Sequence, residues 1–494
     1  MKGDFSRDTF DPKKHFSRVL MQQGRVQLDA DWNEQGAILL HYLRTLAKDI
    51  LGAHAGPADN EERGFDITVC GRSHETETNE GETIIYGSKE AKKNSDIKTL
   101  DEDTDIWISL GRYYVEGILV ENNGVLSYRE QLGIGSVNQP SIEEIDWKKD
   151  LLFYLDVWER EITYVQDPYI REVALGGVDT CSRSQVVWQV KALMREKDTL
   201  SVEALGEDWV KKFNLPLPLG TGKMRARAGQ ESPRGAELCV IPPQSRYRGA
   251  ENQLYRVEIH CGGKVNGGKC PTFKWSRENG AIIFPIRAVC NRTKALEQTL
   301  ELEHLGRDQR LSLKPGDWVE YMDEHFAMRA EAGPMAKVKT VDRADLSVTL
   351  SLLSGSEIPY FSQEEMEAMH PFLRRWDHPG DEKFDGALEV TGAPDPANGW
   401  VNLEDGVQVW FSEDGEYRTG DYWLIPARVA TGNVEWPAEL DTSGRAKLFE
   451  GNKLAAALEP RGPRHYYAPL AIVKPSNETP TQDCRCTIKT SLAG

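Results

Sequence analysis

Short apolar runs separated by glycine, aspartate or proline turns recur from residue 105 onward, and they restrict this chain to a mainly β fold. Leu151–Trp158 (LLFYLDVW) is apolar almost without interruption, which is typical of a strand buried on both faces. Runs such as Leu254–Ile259 and Val407–Phe411 are short and closely spaced, as in small antiparallel barrels and sandwiches. We therefore predict β-sandwich and small β-barrel modules, preceded by an N-terminal arm, a hairpin and one long α-helix.

The length of 494 residues predicts several domains, because one hydrophobic core rarely serves more than about 250–300 residues. The strand pattern breaks at Leu215–Pro218 (LPLP) and in the glycine-rich tract after it, which is typical of a linker. The predicted divisions are an attachment module at 1–52, a first β domain at 53–204, a linker at 205–235, a β-barrel or sandwich domain at 236–360, and a C-terminal β domain at 361–494.

The N-terminal module carries the one long helical pattern. His15–Asp29 is predicted to form a hairpin with its turn at Gln22–Gly24, and Asp31 is predicted to be the N-cap of a helix that ends at Gly52. The apolar residues from Trp32 onward recur at three- and four-residue spacing on one face: Leu39, Leu43, Leu46 and Ile50. That face either packs on the chain's own domain, which is the default, or docks on a partner or on copies of the chain.

The first residues form an aromatic and basic arm in an otherwise acidic protein. Three phenylalanines alternate with basic residues there, so the arm could bind an acidic socket on a partner, with the aromatic rings as anchors. A disordered or self-packed terminus is the alternative. The candidate assembly interface combines the arm with the helix face: Phe5, Arg7, Phe10, Lys13, Lys14, Phe16, Arg18, Trp32, Leu39, Leu43 and Leu46.

The net charge of −18 argues against nucleic acid as a partner, because a phosphate backbone needs a positive surface. No stretch approaches the ~18 apolar residues of a membrane-spanning helix. The start of the sequence is polar and lacks the apolar region of a signal peptide, so we expect synthesis in the cytoplasm without a signal peptide.

The sequence offers only near matches to chemical motifs. Gly263–Cys270 resembles a phosphate-binding loop, but Cys270 replaces the magnesium-binding Ser or Thr, and a strand pattern follows where a helix is needed. Four cysteines lack the close pairs of a typical zinc site: Cys239, Cys261, Cys270 and Cys290. We therefore predict no catalytic residue, no cofactor and no metal.

One histidine- and aspartate-rich stretch leaves two interpretations open. His370, Asp377, His378 and Asp381 could gather for metal or acid–base chemistry, or the aspartates could form ion pairs with the neighbouring arginines. Tryptophans inside strand patterns favour core packing over sugar stacking. A carbohydrate- or surface-binding β protein, acting on glycans or only binding them, nevertheless remains the alternative function.

Several segments together resemble a large, poorly characterised bacterial family. They are GDFSRDTFDPKKHFSRVLMQQGRVQLDADWNEQ at Gly3–Gln35, YLDVWEREITYVQDPYIREVALGGVDTCSRSQVVWQVK, ENQLYRVEIHCGG, FKWSRENGAIIFPI, RRWDH, YRTGDYWLIPARVATGNVEWP and HYYAPLAIV. Such proteins are encoded near extracellular contractile injection systems, which are phage-tail-like particles. The resemblance implies a structural role at the particle periphery or baseplate, no enzymatic step, partners among other particle subunits and copies of the chain, and release with the particle to the extracellular space.

Overall fold

The computed structural model describes most of the chain. The described residues are 1–71, 75–77, 83–85, 104–135, 140–197, 199–206, 208–216, 218–229, 247–268, 270–290, 296–353, 357–449, 452–474 and 481–488. Within them the α-helices are α1 (Asp29–Leu51), α2 (Trp209–Lys212), α3 (Glu324–Arg329) and α4 (Gln363–Met369). None of these helices has a stretch long and apolar enough to cross a membrane.

The strands confirm a mainly β, multidomain protein. In the first third of the chain they are β1 (His54–Ala55), β2 (Ile67–Gly71), β3 (Glu75–Glu77), β4 (Thr83–Ile85), β5 (Thr104–Ile108), β6 (Gly111–Val115), β7 (Ile118–Asn122), β8 (Leu126–Ser127), β9 (Asp150–Ile162), β10 (Arg171–Glu172), β11 (Val178–Asp179) and β12 (Arg183–Arg195). In the middle they are β13 (Met224–Ala228), β14 (Gln253–Cys261), β15 (Thr272–Ser276), β16 (Ile283–Val289), β17 (Glu297–Leu302), β18 (Trp318–Met322), β19 (Met335–Asp342), β20 (Ser347–Leu352) and β21 (Phe372–Trp376). The remainder are β22 (Leu388–Glu389), β23 (Gly392–Ala393), β24 (Val401–Asn402), β25 (Val407–Ser412), β26 (Tyr422–Arg428), β27 (Asn433–Val434), β28 (Leu448–Phe449), β29 (Asn452–Lys453), β30 (Tyr466–Val473) and β31 (Thr481–Asp483).

Strand β9 is the centre of the first β unit and confirms the prediction of a strand buried on both faces. It pairs with β12 along its full length and with β30, in the sheet order β12-β9-β30-β31. Phe153 and Leu155 enter one apolar core, which β5, β6 and β7 also line. Leu152 and Tyr154 enter a second core on the opposite face, where Trp209 of α2 covers them.

The sandwich and the barrel lie between the two chain segments that build this first unit. Strands β13, β23, β24 and β25 form one sheet, β22, β15, β14, β26 and β27 form another, and the two sheets share one apolar core. Strands β16, β17, β20, β19, β18 and β21 form a closed barrel with its own core. Its closure confirms the prediction of a small-barrel module. In the sequence, the barrel is an insertion between β15 and β22 of the sandwich.

Sheets join strands that are far apart in the sequence. The first unit pairs β9 with β30, the sandwich pairs β13 with β25, and the barrel closes by pairing β16 with β21. Strands of one sheet therefore lie on both sides of residues 204, 235 and 360, where the sequence suggested domain boundaries. Each of these strands pairs with a segment far away in the sequence. A local change in composition does not reveal which segment that is.

The N-terminal module differs from its predicted form in two details. The segment His15–Leu28 keeps the turn, with the amide of Arg25 donating to the Gln22 carbonyl at 3.3 Å, but neither side of the turn is a strand. Helix α1 begins at Asp29 with Leu28 as its N-cap, and Asp31 instead accepts a hydrogen bond from the Leu28 amide at 3.4 Å. The predicted helix end at Gly52 is confirmed.

A buried ionic cluster joins the sandwich to the barrel. Lys274 of β15 places its Nζ 2.6 Å from Glu320 of β18 and 3.4 Å from Glu258 of β14. His378, which is only 3% exposed, lies beside this cluster, and neither of its ring nitrogens has a hydrogen-bond partner among the described residues. Burial, with the nearby positive charge of Lys274 and the ring of His260, lowers the pKa of His378 to about 3.

We expect truncation of the central strand to destabilise the first β unit. Leu155 is fully buried, so Leu155→Ala should lower the free energy of unfolding by about 2–5 kcal/mol, because it removes apolar contacts and leaves a cavity. Urea denaturation would measure the change. Val173→Ala, at an exposed position of a short 3-10 helix, is the control and should cost little. Equal losses for the two variants would contradict the central role of β9.

The buried imidazole predicts a dependence of stability on pH. Unfolded His378 takes up a proton near pH 6.5, whereas the folded ring stays neutral down to about pH 3, so the unfolded state binds more protons in that window and stability falls as the pH falls. Between about pH 7 and about pH 5, wild type should lose about 2 kcal/mol more unfolding free energy than His378→Leu. Parallel losses in urea titrations would show that the ring is protonated in the folded state.

Candidate assembly interface

Helix α1 presents an apolar stripe to solvent. Of its 23 residues, only Ala30 and Ile38 are buried against the body. The residues of the predicted face instead have between 54% and 70% of their surface exposed: Trp32, Leu39, Leu43, Leu46 and Ile50. We call these five residues the α1 stripe. The default expectation, that this face packs on the chain's own domain, is wrong for the stripe, because the helix packs through its opposite side.

Ion pairs hold that opposite side on the first β unit, and one glycine allows the helix to approach closely. The Arg44 guanidinium donates to both carboxylate oxygens of Glu159 on β9, at 2.8 and 2.9 Å, and Lys48 pairs with Glu116. Partial burial would raise the pKa of Glu159, but Arg44 outweighs burial and lowers that pKa below its ordinary value. Gly117 (φ +78°) lies against the helix backbone, where an added Cβ would be 2.1 Å from the Arg44 carbonyl oxygen.

The first ten residues bind the body of the same chain. Lys2 lies 3.3 Å from Glu258 of the ionic cluster, and Arg7 lies 3.7 Å from Glu435. Phe5 is half-buried, and Phe10 contacts the ring of His41 on α1 with a centroid distance of 5.8 Å. Of the predicted interface residues, Phe5, Arg7 and Phe10 are therefore engaged within the chain, as the alternative of a self-packed terminus anticipated.

The rest of the arm is exposed beside α1. Lys13 and Lys14 belong to a short 3-10 helix, Pro12–Lys14, and they are exposed, as are Phe16 and Arg18. Phe10 and Phe16 meet Tyr42 of α1 around an open cavity of about 230 Å³. The interface residues thus divide into an internal set, which contacts the body of the chain, and an outward set, which is exposed to solvent.

Sequence reasoning missed several exposed apolar side chains that extend the outward set. Leu20, Met21 and Val26 lie in the segment before α1, and Leu40 and Tyr42 flank the stripe on the helix. The predicted hairpin at His15–Asp29 would bury one of its faces, and because its strands do not form, these three side chains are exposed. Ile50 is 70% exposed on the same helical face, so the helical spacing of the leucines is a sufficient signal for adding it to the interface.

The other residues considered for metal or acid–base chemistry do not gather at one site. Asp377 lies 3.5 Å from Arg375, as the ion-pair interpretation predicted, while His370 faces Glu324 at 3.7 Å and Asp381 caps a 3-10 helix. Among the described residues, no three His, Cys, Asp or Glu side chains gather as a metal-binding group. Cys239 lies outside the described residues, as does Lys269 of the loop that resembles a phosphate-binding loop. That loop joins the antiparallel strands β14 and β15.

The tryptophans within the strands confirm core packing. Six of them are buried: Trp158, Trp275, Trp318, Trp376, Trp410 and Trp423. Trp188 is partly buried against the first core, and its indole nitrogen donates to the Glu121 carbonyl at 3.0 Å. These seven rings therefore serve the β cores, whereas Trp32 of the α1 stripe is exposed.

We expect the Arg44–Glu159 pair to control how firmly α1 is docked. Glu159→Gln removes the negative charge and one of two charge-assisted hydrogen bonds, so the amides of α1 should exchange with deuterium several-fold faster at neutral pH, while those of β9 stay protected. Hydrogen exchange followed by mass spectrometry measures both segments. Glu62→Gln, which breaks an exposed pair with Arg112, is the matched control. Unchanged exchange in α1 would assign its docking to the apolar contacts of Ala30 and Ile38.

Comparison with known proteins gives one match. A family model described as a family of unknown function, DUF6519, matches residues 1–215 and 218–493. Neither the search of curated proteins nor that of solved structures found a significant match. The matched ranges include α1 and its docking site as well as all the described sheets. The chain therefore belongs to the DUF6519 family of unknown function.

Proposed function

We propose that this chain is a structural subunit of a phage-tail-like contractile injection particle, located at the periphery or baseplate and attached through its N-terminal module. The observation that carries the proposal is the exposed α1 stripe. The particle context comes from the resemblance of the Gly3–Gln35 signature and the downstream segments to proteins encoded beside such particles. That signature includes the first part of α1, so the resemblance and the exposed stripe concern the same module.

The stripe is too apolar to be explained as ordinary surface. Large contiguous apolar patches on soluble proteins usually mark interaction sites, whereas scattered single residues do not. Full burial of a side chain of this size contributes about 1.5–3 kcal/mol, so even partial burial of several of them would support a specific contact. Leu20, Met21 and Val26 lie close by in sequence and are also exposed, which enlarges the surface available to a partner.

Exposed basic residues in the same N-terminal module support a protein partner. Lys13, Lys14 and Arg18 are exposed on the arm, although the chain as a whole carries a net charge of −18. Basic side chains at the rim of an apolar contact steer and orient an acidic partner more than they add affinity. We propose other particle subunits and copies of this chain as the partners, with no nucleic acid among them, and release with the particle after synthesis in the cytoplasm.

A structural role requires no chemistry from this chain. The candidate side chains His370, Asp377 and Asp381 point to separate partners, which supports a protein without an enzymatic step. The alternative of a glycan-binding protein needs exposed aromatic rings in a groove. The strand tryptophans are packed into cores, so the described strands offer little support for that alternative.

We expect one charged substitution in the stripe to prevent incorporation into the particle. Leu43→Glu places a carboxylate at the centre of the contact, where burial without a partner charge is strongly unfavourable, so the chain should be missing from sedimented particles. Val173→Glu introduces the same charge at an exposed apolar position outside the N-terminal module, and this variant should remain particle-bound. Both variants should be compared by immunoblotting of purified particles from producing cells. Normal incorporation of Leu43→Glu would contradict the proposal.

A further inference from the structure

The α1 stripe has the spacing of a coiled-coil seam. Exposed apolar side chains occupy positions 32, 39, 43, 46 and 50, and Gly36 completes a series in which steps of four and three residues alternate. At about 100° per residue, all six positions lie within about 40° of one line along the helix. In heptad terms Gly36, Leu43 and Ile50 are the a positions, and Trp32, Leu39 and Leu46 are the d positions.

We infer that the occupant of this seam is α1 of a second copy of this chain. The inference rests on the proposed function, because it names the partner of the same surface. A seam of alternating a and d residues is complementary to another seam of the same kind, since each side chain enters a hole between four residues of the facing helix. The two identical helices therefore fit each other without further adaptation.

The residues that flank the seam carry little charge, so the α1 helices of two copies can pack against each other. The e positions are Asn33, Leu40 and Ala47, and the g positions are Gln35, Tyr42 and Asp49, so Asp49 is the one charged residue among the six. Two copies of a chain with a net charge of −18 repel each other in general, and a nearly uncharged stripe is a favourable place for contact. Leu40 and Tyr42 are 41% and 52% exposed, so they widen the apolar surface on both sides of the seam.

The body of the protein compensates for the modest length of the seam. A free helix with fewer than three full heptads is marginal in water, because forming its first turn is entropically unfavourable. Here α1 is already ordered on the first β unit through Arg44 and Lys48, so association does not have to order the helix. The same contacts keep the stripe on the outer side, where a second copy can reach it.

The test is the mass of the purified full-length chain in solution. In sedimentation equilibrium from low to high micromolar concentration, wild type should show at least twice its chain mass of 55.6 kDa. Leu43→Glu and Leu46→Glu should each reduce the mass to that of one chain, while Val173→Glu, at an exposed position outside the N-terminal module, should stay associated. Circular dichroism should be unchanged, because all three positions are exposed and do not support the fold. A wild-type protein that stays monomeric, or association that survives both seam variants, would overturn the inference.

The two proposals fail in different ways. If wild type is monomeric but Leu43→Glu is missing from particles, another subunit occupies the seam, and the proposed function stands while this inference falls. If wild type associates through the seam but Leu43→Glu is still incorporated normally, copies do pair through α1, and attachment to the particle uses another surface.

Discussion

The doubly buried strand β9 is the constraint on which the other parts of this molecule depend. Its side chains fill two cores, and its edges pair with β12 and with β30 from near the far end of the chain. Directly after the buried run, Glu159 lies at the edge of the core and accepts two hydrogen bonds from the Arg44 guanidinium of α1. One strand thus unites the two chain segments of the first unit and also fixes the side of α1 that faces inward. The exposure of the opposite side follows from that attachment.

Much of the β architecture is predictable because its causes are local. The run Leu151–Trp158 has too few polar residues for a half-exposed strand, and it forms β9; the alternating pattern around Val348 and Leu350 similarly forms β20 in the barrel. Sheet partners are not local, however. Nothing within residues 466–473 identifies β9 as their neighbour, and the closure of the barrel by Phe372–Trp376 depends on hydrogen bonds to a strand more than eighty residues earlier.

The candidate interface was predictable in composition but not in orientation. Helical spacing groups Leu39, Leu43 and Leu46 on one face, yet periodicity alone does not tell whether the body or the solvent meets that face. The decision comes from Arg44 and Lys48 on the other side, whose partners Glu159 and Glu116 are distant in sequence. The arm illustrates the same limit, since three phenylalanines with similar neighbours end in different places: Phe5 and Phe10 pack within the chain, and Phe16 is exposed.

The nested connection of the three units has a consequence for the order in which a chain emerging from the ribosome acquires structure. The barrel, with strands between residues 283 and 376, can close as soon as its own segment is available, whereas the sandwich needs strands up to residue 434 and the first sheet lacks β30 until residue 473. Strand β9, although made early, must keep one hydrogen-bonding edge unpaired while more than three hundred residues are added. At ~5–20 residues per second this interval lasts tens of seconds, during which the unpaired edge and the apolar side chains of β9 are natural binding sites for chaperones.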